Sequence, residues 1–121
     1  MTKNPPVLTG SATDNAVELR GRVSAAPAQR ELPSGVVIAT FRLSVARART
    51  TMTSGSHQST DWVDCTAWTA KTRRTVAGWA VGDRVVVTGA LRRRFFRAGE
   101  RPSTVLEVEV LSARRDVDAE A

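Results

Sequence analysis

Five stretches of this chain alternate apolar and polar residues with a period of two, and only the interval between the third and fourth keeps a helical period. Successive side chains on a β-strand point to opposite faces, so such alternation marks half-buried strands and commits the chain to sheet. In the first stretch Val17, Leu19, Gly21 and Val23 share a face against Glu18, Arg20 and Arg22. In the second, Val37, Ala39, Phe41, Leu43 and Val45 point inward and Ile38, Thr40, Arg42 and Ser44 outward. The third, DWVDCTAW at 61–68, sets Val63, Cys65 and Ala67 inward against an outward row of Trp62, Asp64, Thr66 and Trp68. A fourth strand is predicted from Arg84 to about Phe96. A fifth follows from about Thr104 to Leu111, with Leu106, Val108 and Val110 opposite Glu107 and Glu109. Arg97-Ala98-Gly99-Glu100 predicts the hairpin turn between them.

The connections carry their own signals. Thr69 can cap a short helix in which Thr72, Val76 and Trp79 recur at helical spacing, closed by Gly82. Residues 25–35 hold two prolines and a Ser-Gly pair, which reads as a turn. Residues 47–60 are small, polar and aperiodic, a long loop of the kind that usually carries function. The expected division is a loose N-terminal arm at 1–14, a domain at 15–112 and a short tail at 113–121. Three strands, a helix and two strands in an all-β chain is the order of the OB-fold, a five-stranded Greek-key barrel with one short helix between strands three and four. Gly21 fits the sharp bend that such a barrel needs.

Bulk properties narrow the function classes. A chain of 121 residues, 41% hydrophobic, suits one domain with one core. Its longest aliphatic runs, such as Val85-Val86-Val87, fall far short of a membrane span, and its opening lacks the apolar centre of a signal peptide. A soluble cytosolic protein with no membrane partner is expected. One cysteine rules out an internal disulfide. Lys+Arg 18 against Asp+Glu 12 leaves a formal charge of +6, nearly all of the excess from arginine, which favours a polyanionic partner.

Register then poses a chemical question. If Val63, Cys65 and Ala67 are buried, two of the three tryptophans must face outward beside an aspartate and a threonine. An exposed indole is a flat surface on which an unpaired base stacks, whatever its sequence. On the fourth strand Arg92, Arg94 and Phe96 share one face, a basic row interleaved with an aromatic that suits a single nucleic-acid strand. Arg42, Arg47 and Arg49 extend the basic surface into the long loop, while Lys71, Arg73 and Arg74 add charge after Trp68. Trp79 reads as core. His57 and Cys65 lack the companions of a nucleophile site, one histidine and one cysteine cannot close a zinc site, and no phosphate-cradling glycine loop appears. No catalysis, metal or cofactor is expected. A protein-interaction module using Trp62 and Trp68 as hot spots, or an RNA-binding barrel, are the competing readings.

The stretches NAVELRGRVSAAP, SGVVIATFRLSVAR, TDWVDCTAW, AVGDRVVVTGALRRRFF and STVLEVEVLSA, in that order, resemble the bacterial single-stranded DNA-binding proteins of the homotetrameric OB-fold type over roughly residues 15–112. The resemblance implies a homotetramer that coats and protects single-stranded DNA in replication, recombination, repair or DNA uptake. It places base-stacking aromatics at Trp62, Trp68 and Phe96, with Arg49 where a fourth aromatic is usual. Phosphate contacts are expected from Arg47, Arg49, Arg92, Arg94 and Arg97, with Arg42 and Arg73 at the periphery. Family members typically end in a long linker and an acidic tip with a phenylalanine that recruits other proteins. This chain ends Asp116-Val117-Asp118-Ala119-Glu120-Ala121, like the short secondary paralogues, so recruitment through such a tip is not expected.

Overall fold

The computed structural model describes residues 14–117, so most of the expected N-terminal arm and the last four residues of the expected tail lie outside it. Six elements follow in order: β1 (Val17–Glu31), β2 (Val37–Ala46), β3 (Thr60–Ala67), α1 (Ala70–Ala77), β4 (Arg84–Ala98) and β5 (Arg101–Arg115). The strands close into a barrel in the order β1-β2-β3-β5-β4, the OB-fold that the element order implies. Closure depends on β1 pairing twice: residues 17–22 run antiparallel to β4, and residues 22–31 antiparallel to β2. Gly21 sits where the two pairings meet, and a Cβ there would collide with the Ser44 carbonyl. Its backbone contact is thus closer than any other residue would allow.

The barrel is filled by the inward rows. Val23, Phe41, Leu43, Cys65, Ala67, Val85, Val87, Val108 and Val110 are buried in one cluster. Helix α1 packs against β5, β2, β1 and β3. Thr69 caps the helix by accepting from the Thr72 amide at 3.1 Å, and Val76 enters the core. Trp79 is buried as expected, its ring edge-on to Phe41 at 5.4 Å between centroids and 85° between planes. The helix closes earlier than predicted, at Gly78, so Trp79 enters the core from the turn beyond it. Gly82, at φ +97°, shapes the entry to β4 instead.

Three further expectations are corrected. Residues 25–31 are not a turn but the second half of β1, and Pro27 lies in the interval Ala25–Ala28 where the register with β2 shifts. A proline cannot donate to a ladder, and at an irregularity it need not. Leu106 is exposed although Val108 and Val110 on its face are core, because the β4–β5 hairpin projects past the barrel there. Strand β5 also runs beyond Leu111 to Arg115. Thr88 faces Ser112 and Gly89 faces Val110, so Leu111 is the extra residue of a bulge, and Ala113 rather than an even-numbered residue returns to the core. The hairpin turn falls on Gly99 and Glu100 as predicted, with positive φ confined to Gly99. That is the pattern of a type II′ turn.

Candidate nucleic-acid interface

The outward row of β3 begins at Trp62 and ends at Trp68, one residue past the strand. Val63, Cys65 and Ala67 turn inward beside the apolar cluster, which fixes the register and forces both indoles out. Trp62 is 61% exposed in the isolated chain. The guanidinium of Arg42, from the neighbouring strand, lies 4.2 Å from its ring centre and occupies one flank. Arg42 is itself held by Asp64, Nε to Oδ1 at 3.0 Å. Trp68 is 36% exposed and lines a cleft of about 480 Å³ with Arg92, Arg94, Phe95 and Glu109.

Thr66 departs from expectation. It belongs to the outward row yet is buried, donating its hydroxyl to Glu107 Oε1 at 2.9 Å. Glu107, on β5, is only 5% exposed and also accepts from Arg94, whose Nε lies 2.9 Å from Oε2 and Nη2 3.4 Å from Oε1. A buried carboxylate needs such partners, and here a hydroxyl and a guanidinium together satisfy it. This triad forms the floor of a groove of about 470 Å³, with Arg42 and Asp64 beside it and Ala25 and Ala28 of β1 along one wall. Small side chains on that wall keep the groove open.

Phe96 is 40% exposed, 5.7 Å from the Arg94 guanidinium, in a third depression of about 710 Å³ shared with Arg30, Phe95 and Arg97. Arg94 lines all three hollows, so Trp62, Trp68, Phe96, Arg42, Arg92, Arg94 and Arg97 are brought to one continuous surface. Arg47 and Arg49 are not. They line a separate hollow of about 240 Å³ within the long loop, with Thr53, Ser56 and His57. Arg73 is spent on structure, its Nη1 donating to the carbonyls of Val37 at 2.9 Å and Trp68 at 3.2 Å, which ties the helix to the strand ends.

Phe95 was missed by sequence reasoning. It is 74% exposed and lines two of the three hollows, but its parity is opposite to that of Arg92, Arg94 and Phe96. Arg30 was missed because its strand was read as a turn. Cys65 is fully buried, and burial first, then the nearby Asp64 and Glu107 carboxylates, push its thiol up to about 12. Such a thiol is inert packing rather than a nucleophile. Among the described residues no group of three His, Cys, Asp or Glu side chains is placed to hold a metal ion, and no helix is long and apolar enough to cross a membrane.

Comparison with known proteins gives concordant results. A solved structure described as "Plasmodium falciparum SSB complex with ssDNA" superposes with a TM-score of 0.66 at 22% identity, covering 94% of this chain and 96% of that one. That likeness establishes the fold. Single-stranded DNA-binding proteins of Mycolicibacterium smegmatis and Mycobacterium tuberculosis are 33% and 32% identical over 108 residues, 82% of this chain. The chain spans 62% of the length of each of these relatives. The model of the single-strand binding protein family matches residues 14–115, from before the first strand to the last residue of β5. With the barrel, the register of β3 and this match in agreement, the chain belongs to the single-strand binding protein family.

Proposed function

We propose that this chain binds single-stranded DNA with little sequence preference, as a non-catalytic coat that shields the strand from nucleases and from re-pairing. The observation that carries the reading is the exposure of Trp68 and Phe96 in two adjoining hollows and of Trp62 against Arg42, which lines the third. Bases stack on the two indoles and the phenyl ring, and the backbone follows Arg92, Arg94 and Arg97. Stacking on a π-face does not depend on base identity, which accounts for binding without sequence readout. Arg49 and Arg47, on the separate loop hollow, extend the path for a longer strand. By family likeness the working unit is a homotetramer in the bacterial cytoplasm, and replication, recombination, repair or DNA uptake supply the single strands.

Titration of intrinsic fluorescence with oligo-dT tests this directly. Strong quenching by oligo-dT and little by duplex DNA is expected, since paired bases present no free faces. Trp62→Ala and Trp68→Ala should each weaken binding by about 1 to 3 kcal/mol. Unchanged affinity in both variants would remove the stacking assignment.

A further inference from the structure

The arginines of the binding surface do not stand as free cations. Arg92 donates its Nε–H to Glu109 Oε1 at 2.9 Å, Arg94 to Glu107 Oε2 at 2.9 Å, and Arg42 to Asp64 Oδ1 at 3.0 Å. Arg47 in the loop lies 3.6 Å from Asp61. Only Arg49 and Arg97, of the five arginines assigned to phosphates, hydrogen-bond to backbone carbonyls alone among the described residues, those of Ser54 and Glu100. Three arginines at the centre of the surface are therefore each matched by a carboxylate, while Arg30, Arg93 and Arg97, which line the same hollows, form no ion pair with a described residue and leave the surface a partial share of the chain's +6.

Resting on the single-stranded DNA reading, we propose that Glu109, Asp64 and Glu107 act as built-in counterions, which hold the surface arginines in position and cap their charge so that affinity rests on stacking. In each pair the carboxylate takes the Nε edge, so the arginine is aimed from behind. The negative charge stays within a few ångströms of any phosphate that docks. A phosphate arriving at Arg92 either shares the guanidinium with Glu109 or displaces it, and a displaced carboxylate recruits a cation from solution. Either way fewer ions are released in net than free arginines would release. Among the five arginines assigned to phosphates, the two without a carboxylate, Arg49 and Arg97, correspond to a log–log salt slope of about −1.4 per subunit, whereas five would correspond to about −3.5. The expected consequence is a coat that holds single strands across a wide range of salt and is not drawn onto duplex by charge alone.

The experiment uses the full chain and an oligo-dT too short to bridge two barrels, titrated by fluorescence at several salt concentrations. Wild type should show the shallow slope. Glu109→Gln and Asp64→Asn, on different strands and each partly exposed, should bind about threefold to tenfold more tightly at low salt, with the slope steeper by about 0.7 each and the gain lost at high salt. Glu109→Asp, which keeps the charge, should keep the wild-type slope. A wild-type slope near that for five arginines, or neutralised variants with unchanged slope, would overturn the proposal. Weaker binding at every salt concentration with the slope unchanged would also overturn it, leaving the carboxylates as struts alone. A wild-type protein that does not bind oligo-dT at all would instead sink the function on which the proposal rests.

Discussion

Gly89 shows how much a single residue decides here. It lies opposite the β5 bulge, and a Cβ there would run into the Glu109 carbonyl, a backbone atom with no room to yield. Gly89→Ala should therefore destabilise the fold by about 2 to 4 kcal/mol, whereas Gly55→Ala, with open space around it, should stay within about 0.5 kcal/mol. Urea denaturation of the two variants checks the contrast. Cys65 yields a second residue-level expectation. Its folded thiol is raised to about 12 from 9.0, so between those values the unfolded chain releases a proton that the native state retains. Stability is thus undiminished by this group below pH 9.0 and falls as pH rises toward 12. Cys65→Ala should flatten that alkaline decline in a pH series of melting curves.

Among the elements, β3 and the β4–β5 hairpin were the most legible. Strict alternation predicted their faces apart from Thr66, Leu106 and Glu107, and with the turn placed at Gly99 and Glu100 the pairing of Arg92 with Glu107 follows by counting back. The acidic row of Glu107 and Glu109, read only as the face opposite Leu106, Val108 and Val110, was thus present in the sequence beside the basic row. The second half of β1 was illegible because Pro27 imitates a turn that begins only at Pro33, and the end of β5 because Leu111 breaks the alternation. The helix was placed correctly at its start, where Thr69 caps it, and wrongly at its end, since either Gly78 or Gly82 can stop a helix locally. Thr69→Ala should lower stability by about 1 kcal/mol, read from the denaturation midpoint at unchanged m. Oligo-dT binding should persist in that variant, because no residue of α1 lines the three hollows.

At the scale of the molecule, the barrel leaves edges that the chain itself does not use. Beyond Arg22, where its pairing with β4 ends, β1 has a strand partner on one side only among the described residues. An unpaired edge of that length invites pairing with a second copy, in keeping with the proposed tetramer. Sedimentation at micromolar concentration should give four times the chain mass, and a monomer would count against that assembly while leaving the surface of a single barrel in place. Such self-association would also set how many hollows one strand can visit in succession.

From the linear order of residues alone came the alternation of the strands, although Ile38, read as facing outward, is fully buried, and with it the outward indoles, the inward cysteine and tryptophan, the surplus of arginine and the identity of the fold. Each depends on periodicity or composition, which act over a few neighbours. Only closure of the barrel decided that Thr66 and Glu107 would be buried together, that Leu106 and Phe95 would be left exposed, and that Arg73 would be spent on carbonyls while Arg92 and Arg94 met carboxylates. Those outcomes depend on which strands become neighbours and where a bulge shifts their register. Such contacts join residues up to 41 positions apart, beyond the reach of any local pattern.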